Sequence, residues 1–226
     1  MKIILLTSRP WNLPIVQEIE QELDAKVLVI NRKEDLNTEN LKNFAPDWIF
    51  VPHWSHIIPD SIHQNFKVVI FHMTDLPYGR GGSPLQNLIV KGHKKTKISA
   101  LACSTGVDDG PIYLKADLDL AGSAQEIFLR ARSVITNMIL VIARTNPKPT
   151  PQQGEIVEFK RRKPSEGNLL EVQGLEKIYD YIRMLDCEGY PNSFILGNDW
   201  IATFQEASFN GKEVTAKVTF KKRNEE

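Results

Sequence analysis

The chain has 226 residues, with 28 lysines and arginines balanced by 28 aspartates and glutamates, so it is long enough to bury a full core and carries no net charge. That balance argues against a polyanion-binding protein, since nothing in the whole-chain field attracts tRNA or DNA. Two cysteines, Cys103 and Cys187, lie far apart in apolar company, which argues against a disulfide framework and for a reducing, cytoplasmic setting. No apolar stretch approaches the roughly 20 residues that span a bilayer, so no membrane partner is expected.

In chain order, short β-branched runs at Lys2–Thr7, Lys26–Ile30, Trp48–Val51, Lys67–Phe71, Lys97–Cys103 and Ile112–Leu118 predict strands covered on both faces. Between the first two, Leu13, Ile15, Val16, Ile19 and Leu23 form an i, i+3, i+4 stripe with acidic residues opposite, the pattern of an amphipathic crossover helix. This β-α-β order predicts an α/β fold with a mostly parallel, Rossmann-like sheet and right-handed connections. From Ser123 to about Ala143, the stripe Ile127, Phe128, Ala131, Val134, Ile135, Met138, Ile139 and Ile142 predicts a long helix, with Ser123 as N-cap and Glu126 completing a capping box.

Three prolines and a closing glycine in Asn146-Pro-Lys-Pro-Thr-Pro-Gln-Gln-Gly154 suit an extended linker. The expected division is therefore a main domain at 1–145, a linker at 146–154 and a small C-terminal α+β appendage at 155–226. In the appendage, Glu155–Lys160, Ser193–Leu196, Trp200–Phe204 and Val214–Phe220 read as strands and Leu175–Leu185 as a helix, with turns at Gly197-Asn198 and Asn210-Gly211. The end, Lys221–Glu226, reads as a solvated tail.

The chemistry concentrates around His72. Histidine exchanges a proton nearest neutral pH, and a carboxylate beside it orients the ring, a pairing that suits acyl transfer. Asp108 follows 36 positions later in Gly106-Val-Asp-Asp-Gly-Pro111. If both follow strands of one parallel sheet, both reach its carboxyl edge, where ligands bind. Between them, Tyr78-Gly-Arg-Gly-Gly-Ser83 reads as a glycine-rich turn opening a helix near Pro84, with backbone N–H groups free for an anion or a carbonyl oxygen. Its spacing matches no nucleotide fingerprint. Asp109 reads as a turn former, and Arg80 as either a contact for an acidic group or a loop-fixing donor. His53, His56 and His63 fit no established ligand spacing, and no metal is expected.

His72, Leu76-Pro77, Arg80-Gly81, Pro84, Gln86 and Val107-Asp108-Asp109-Gly110 together resemble the 10-formyltetrahydrofolate-dependent formyltransferases. That family includes methionyl-tRNA formyltransferases, glycinamide ribonucleotide transformylases and sugar-nucleotide N-formyltransferases. The segment Ala45–Pro59 resembles the family's loop bordering the folate pocket, and the resemblance covers about residues 1–143. It implies a formyltransferase domain with 10-formyltetrahydrofolate as donor and a catalytic pair, His72 and Asp108. It further implies that Thr74, Arg80, Gly81 and Gln86 serve the substrate loop, and that Trp54, Ile57, Ile58 and Val107 border the folate.

In one position the chain departs from the family. The asparagine two residues before the histidine is Ile70 here, and an isoleucine cannot hold a developing oxyanion. Ser55, His56, Thr74 or an N–H of the glycine loop are the candidate replacements; otherwise the chain is an impaired folate- or ligand-binding homologue. The short C-terminal segment and zero net charge favour a small-molecule amine acceptor, such as an amino sugar nucleotide, over methionyl-tRNA, and make nucleic acid an unexpected partner; a homodimer is left open. The glycine-rich phosphate loop of the ribonucleotide enzymes is absent, the position reading Ser8-Arg-Pro-Trp-Asn12.

Overall fold

A computed structural model describes residues 1–223. It divides into two compact units, one formed by Met1–Gly81, Thr96–Leu118 and Leu129–Glu158, the other by Gly82–Lys95, Asp119–Phe128 and Phe159–Glu226. The units interleave along the chain, whereas the linear reading assigns each stretch to one piece. The proline-rich segment 146–154 falls inside the first unit.

The main sheet contains β1 (Lys2–Leu6), β2 (Lys26–Ile30), β3 (Trp48–Pro52), β4 (Val68–His72), β6 (Lys95–Ala102) and β7 (Ile112–Asp119), in the order β2-β1-β3-β4-β6-β7. The pairs β1/β2, β1/β3 and β3/β4 are parallel. Ile3, Ile4, Leu5, Leu6, Ile49 and Phe50 are fully buried, as strands covered on both faces require. Helix α1 (Pro14–Leu23) turns Ile15 and Ile19 into the core, starts on Pro14 and ends on Asp24 in the left-handed region. Helix α2 (Thr38–Phe44) is capped by Asn37, whose side chain accepts from the Asn40 N–H at 2.9 Å. Helix α3 is the single turn Asp60–His63.

One pairing differs from expectation. β6 is antiparallel to β4, with Val69 opposite Ala102 and His72 opposite Ser99. A fully buried apolar run looks the same in either direction, so the sequence carried no signal of the reversal.

Helix α5 (Ala124–Thr145) opens with the predicted capping box: the Ser123 N–H donates to Glu126 Oε2 at 2.8 Å and the Glu126 N–H donates to Ser123 Oγ at 3.3 Å. Ile127, Ala131, Ile135, Ile139 and Ile142 along one stripe are all completely buried, each isoleucine contributing about 1.5–3 kcal/mol.

In the second unit, helix α4 (Pro84–Val90) precedes helix α6 (Leu175–Arg183) and a three-stranded antiparallel sheet, β11-β10-β9, built from β9 (Ser193–Leu196), β10 (Trp200–Phe209) and β11 (Val214–Lys222). β10 runs past its expected end because a bulge between Gln205 and Ser208 resets the alternation, with Glu206 at φ 52°. Lys221 and Lys222 belong to β11 and not to a free tail; Asn224, Glu225 and Glu226 lie outside the described residues. Among the described residues no helix is long and apolar enough to cross a membrane.

Candidate active site

His72 is the last residue of β4, 7% exposed. Its Nε2 lies 2.7 Å from the Gly79 carbonyl, which can only accept, so Nε2 carries a proton. Its Nδ1 lies 3.4 Å from Asp108 Oδ2. Both ring nitrogens thus face acceptors, so a proton arriving at Nδ1 meets the Asp108 carboxylate. The Nδ1 contact is too long for a tight hydrogen bond, so Nδ1 is the ring atom left to exchange a proton with a substrate.

Asp108 does not arrive from the carboxyl edge of a parallel sheet. Because β6 runs antiparallel, its end lies beside the start of β4, where the Cys103 N–H bonds the Val68 carbonyl at 2.9 Å. The loop 103–111 therefore spans the length of β4 to bring Asp108 to His72. Asp108 itself sits at φ 50°, and the loop folds back against its own strand at Gly110. A Cβ there would lie 1.8 Å from the Ala102 carbonyl oxygen, so only glycine fits. Asp109 is held by the Ser104 hydroxyl, in keeping with a turn role.

The glycine-rich stretch is a strand, β5 (Tyr78–Gly81), paired with β8 (Val157–Phe159), instead of the expected open turn. Two N–H groups of the glycine-rich stretch are committed: Gly81 donates to Asp108 Oδ2 at 2.9 Å and Gly82 to the Phe159 carbonyl at 3.0 Å. The Arg80 guanidinium donates twice to Gln152 Oε1, at 3.2 and 2.8 Å, which is the loop-fixing role. Thr74 is fully buried, its hydroxyl 3.4 Å from the Gly79 carbonyl. Gln86 lies in the second unit, buried, and donates to the Met184 carbonyl at 3.2 Å. Of the replacements for the missing asparagine, Thr74 and the Gly81 and Gly82 N–H groups are thus occupied, while Ser55 and His56 are exposed.

Ile70 pairs with Val51 and Leu101 and is half-buried against the apolar cluster that also receives Trp54 and Cys103. Ile58 is inside that cluster at 7% exposure, whereas Ile57 (89%) and Val107 (68%) stand in solvent. Burial pushes the Cys103 thiol up to about 11, so it stays protonated and is a poor nucleophile.

A second polar group collects at the ends of β1 and β3, and sequence reasoning did not single it out. The Asn12 amide donates to Thr7 Oγ1 at 2.9 Å, with His53 Nδ1 3.1 Å away. Ser8 Oγ, Asn12 Oδ1, Trp54 Nε1 and Arg132 Nε are buried without a hydrogen-bond partner among the described residues. Such groups are rare in folded proteins and call for a partner, whether ordered water or a bound molecule. The three histidines singled out in the sequence have separate surroundings: His53 beside Asn12, His56 against the Trp54 ring, and His63 bonded to Asp60 at 2.9 Å.

His53 is held at about 4 by burial, with Arg9 adding repulsion. Between pH 6.5 and 4 the unfolded chain therefore binds a proton that the folded chain refuses, and stability falls as pH drops through that window. The shift corresponds to about 3 kcal/mol. Urea unfolding of wild type and His53→Gln across that range should show the variant losing less stability on acidification; parallel slopes would remove His53 as the cause.

A mixed sheet carrying a buried histidine beside a half-buried aspartate at the end of β4 defines the class structurally: an α/β protein with a candidate acid–base site. The comparisons narrow it. Residues 14–136 match the formyl transferase family model and residues 164–221 match the methionyl-tRNA formyltransferase C-terminal domain. The chain belongs to the formyl transferase family. The solved methionyl-tRNA formyltransferase from Clostridium thermocellum is 46% identical over 99% of this chain and 100% of that one, with a TM-score of 0.95. The curated methionyl-tRNA formyltransferase of Sulfurovum sp. (strain NBC37-1) is 28% identical over 80% of this chain, and this chain spans only 60% of its length. A sugar N-formyltransferase from Shewanella sp. shares the fold at 13% identity and a TM-score of 0.66, covering 88% of this chain and 93% of that one.

Proposed function

We propose that this chain transfers a formyl group from 10-formyltetrahydrofolate to the amine of a methionyl-tRNA acceptor. The observation that carries the reading is the His72–Asp108 contact at the end of β4, in a chain 46% identical along its whole length to a protein of that name. This replaces the amino-sugar reading. The solved relative is itself covered end to end by this chain, so a short C-terminal segment does not argue against tRNA. Nucleic acid accordingly returns as a partner. Zero net charge describes the whole chain only; Lys217, Lys221 and Lys222 are grouped on β11, near the exposed rings of Trp200 and Phe220.

The donor brings the formyl carbon that the amine attacks. The residues present fit such a group. The partly buried Trp54 offers an unpartnered Nε1–H beside an apolar cluster, and Ile57 and Val107 present uncovered apolar surface. With Nε2–H held by the Gly79 carbonyl, the His72 ring takes the attacking amine's proton at Nδ1 beside Asp108, and the Nδ1–H so formed donates to the negative charge on the formyl oxygen and passes its proton to the departing folate nitrogen.

Ile70 supports a second reading, a folate-binding homologue that turns over poorly. Purified protein should be mixed with 10-formyltetrahydrofolate and either methionyl-tRNA or an amino sugar nucleotide, following tetrahydrofolate release. Release with methionyl-tRNA supports the first reading; donor binding without release for either amine supports the second. Ile70→Asn restores an amide next to the pair and should raise kcat, by up to about 10²-fold if the oxyanion donor is missing. An unchanged or lower rate would show that another group already fills the role.

A further inference from the structure

Gln152 lies in the proline-rich segment 146–154, which composition marks as a connector. Its side chain uses every hydrogen-bonding position an amide has. Nε2 donates to the Asp108 carbonyl and to the Gly110 carbonyl, both at 2.8 Å. Oε1 accepts from Arg80 Nε at 3.2 Å and from Arg80 Nη2 at 2.8 Å. Two acceptor-only groups stand on one side and a donor-only guanidinium on the other, so the amide's orientation is fixed. Neither a carboxylate nor a cationic side chain satisfies both sides. The segment is anchored as well: Thr150 and Ile112 exchange backbone bonds at 2.7 and 2.9 Å.

These bonds converge on the least relaxed point of the site. Asp108 is held at φ 50°, a conformation that non-glycine residues rarely adopt. Its carboxylate takes the Gly81 N–H at 2.9 Å and faces His72 Nδ1 at 3.4 Å. Gln152 grips the backbone at that residue and again two positions on, at Gly110, and through Arg80 it grips the strand that supplies the Gly81 donor. Strain that persists at a site requires surroundings that over-determine it, and Gln152 contributes that constraint.

We propose that Gln152 is a positioning residue, locking the Asp108 turn and Arg80 so that the Asp108 carboxylate stays against His72. The effect on rate rests on the formyl-transfer reading; the effect on geometry does not.

The test uses the full chain as Gln152→Glu, Gln152→Ala, Asp108→Asn and the Gln152→Glu/Asp108→Asn double variant. Gln152→Glu keeps the Arg80 contacts but sets one carboxylate oxygen against the two carbonyls. Its kcat should fall by about 10²-fold, the cost of displacing a catalytic group by roughly an ångström, with the KM for 10-formyltetrahydrofolate changed less than about twofold. Gln152→Ala should fall similarly. In the Asp108→Asn background the same substitution should have little further effect, because the residue it positions is already disabled. Additive losses, or losses that track the melting temperature, would overturn the proposal. If the wild type transfers no formyl group, ¹⁵N NMR of the His72 ring decides instead. Gln152→Glu should shift the His72 Nδ1 resonance, and an unchanged ring spectrum in both Gln152 variants overturns the positioning role independently of activity.

Discussion

Replacing His72 with asparagine is expected to lower kcat/KM for formyl transfer by about 10³-fold while leaving the fold intact, within the range a positioned acid–base group supplies. The imidazole is buried, its Nε2 tied to the Gly79 carbonyl at 2.7 Å and its Nδ1 facing Asp108 at 3.4 Å. Asparagine places its amide near the imidazole Nδ1 and can still donate to Asp108, while β5 keeps its pairing with β8 and its Gly81 bond to Asp108, so the strand need not detach. It can carry no positive charge opposite Asp108 and can exchange no proton near neutral pH. Asp108→Asn should give a loss of comparable order, because the neutral amide no longer favours the charged ring. The assay is tetrahydrofolate release, with donor affinity measured separately by calorimetry. A decrease smaller than tenfold with unchanged donor affinity would remove His72 from the reaction.

The largest effect on stability is expected in the second unit. Arg183→Met should reduce the free energy of unfolding by about 3–5 kcal/mol, the cost of leaving a buried charge without its partner. The Arg183 guanidinium donates to Asp180 Oδ1 at 2.8 Å, to the Leu120 carbonyl at 2.7 Å and to the Gly122 carbonyl at 2.9 Å. The Arg183 and Asp180 side chains are only 4% and 2% exposed. Methionine fills much of the volume but strands one carboxylate and two carbonyls. Adding Asp180→Leu to that variant should recover part of the loss, since the uncompensated charge goes with it. Urea denaturation measures both variants, and a loss below about 1 kcal/mol for the single change would mean that water reaches the carboxylate.

Much of this was visible in the chain. The β-branched runs located the strands because buried parallel strands leave no choice but continuous apolar sequence, and Ser123 with Glu126 announced the start of α5 through chemistry local to four residues. His72 and Asp108 were legible as a pair from their surrounding landmarks. How they meet was not. The antiparallel course of β6 is invisible in an apolar run, and the glycine-rich Tyr78–Gly81 stretch lacks β-propensity, becoming a strand only through Val157–Phe159, far away in the chain. Gln152 was missed because a side chain whose partners are 42 to 72 residues distant leaves no periodic or compositional trace. Gln86 shows the converse: its place among the motif residues pointed to the substrate loop, while its bond goes to Met184.

The interleaving of the two units bears on how such a chain can change. The backbone crosses from one unit to the other at 81/82, 95/96, 118/119, 128/129 and 158/159, five junctions in all. No single recombination point exchanges either unit as a cassette, and a fusion joint placed in 146–154 would sever Gln152 from the strands it serves. A change of acceptor in a protein wired this way is more accessible to point substitution than to domain shuffling, and a fragment cut after Glu158 would keep the His72 site while leaving 82–95 and 119–128 without the rest of their unit.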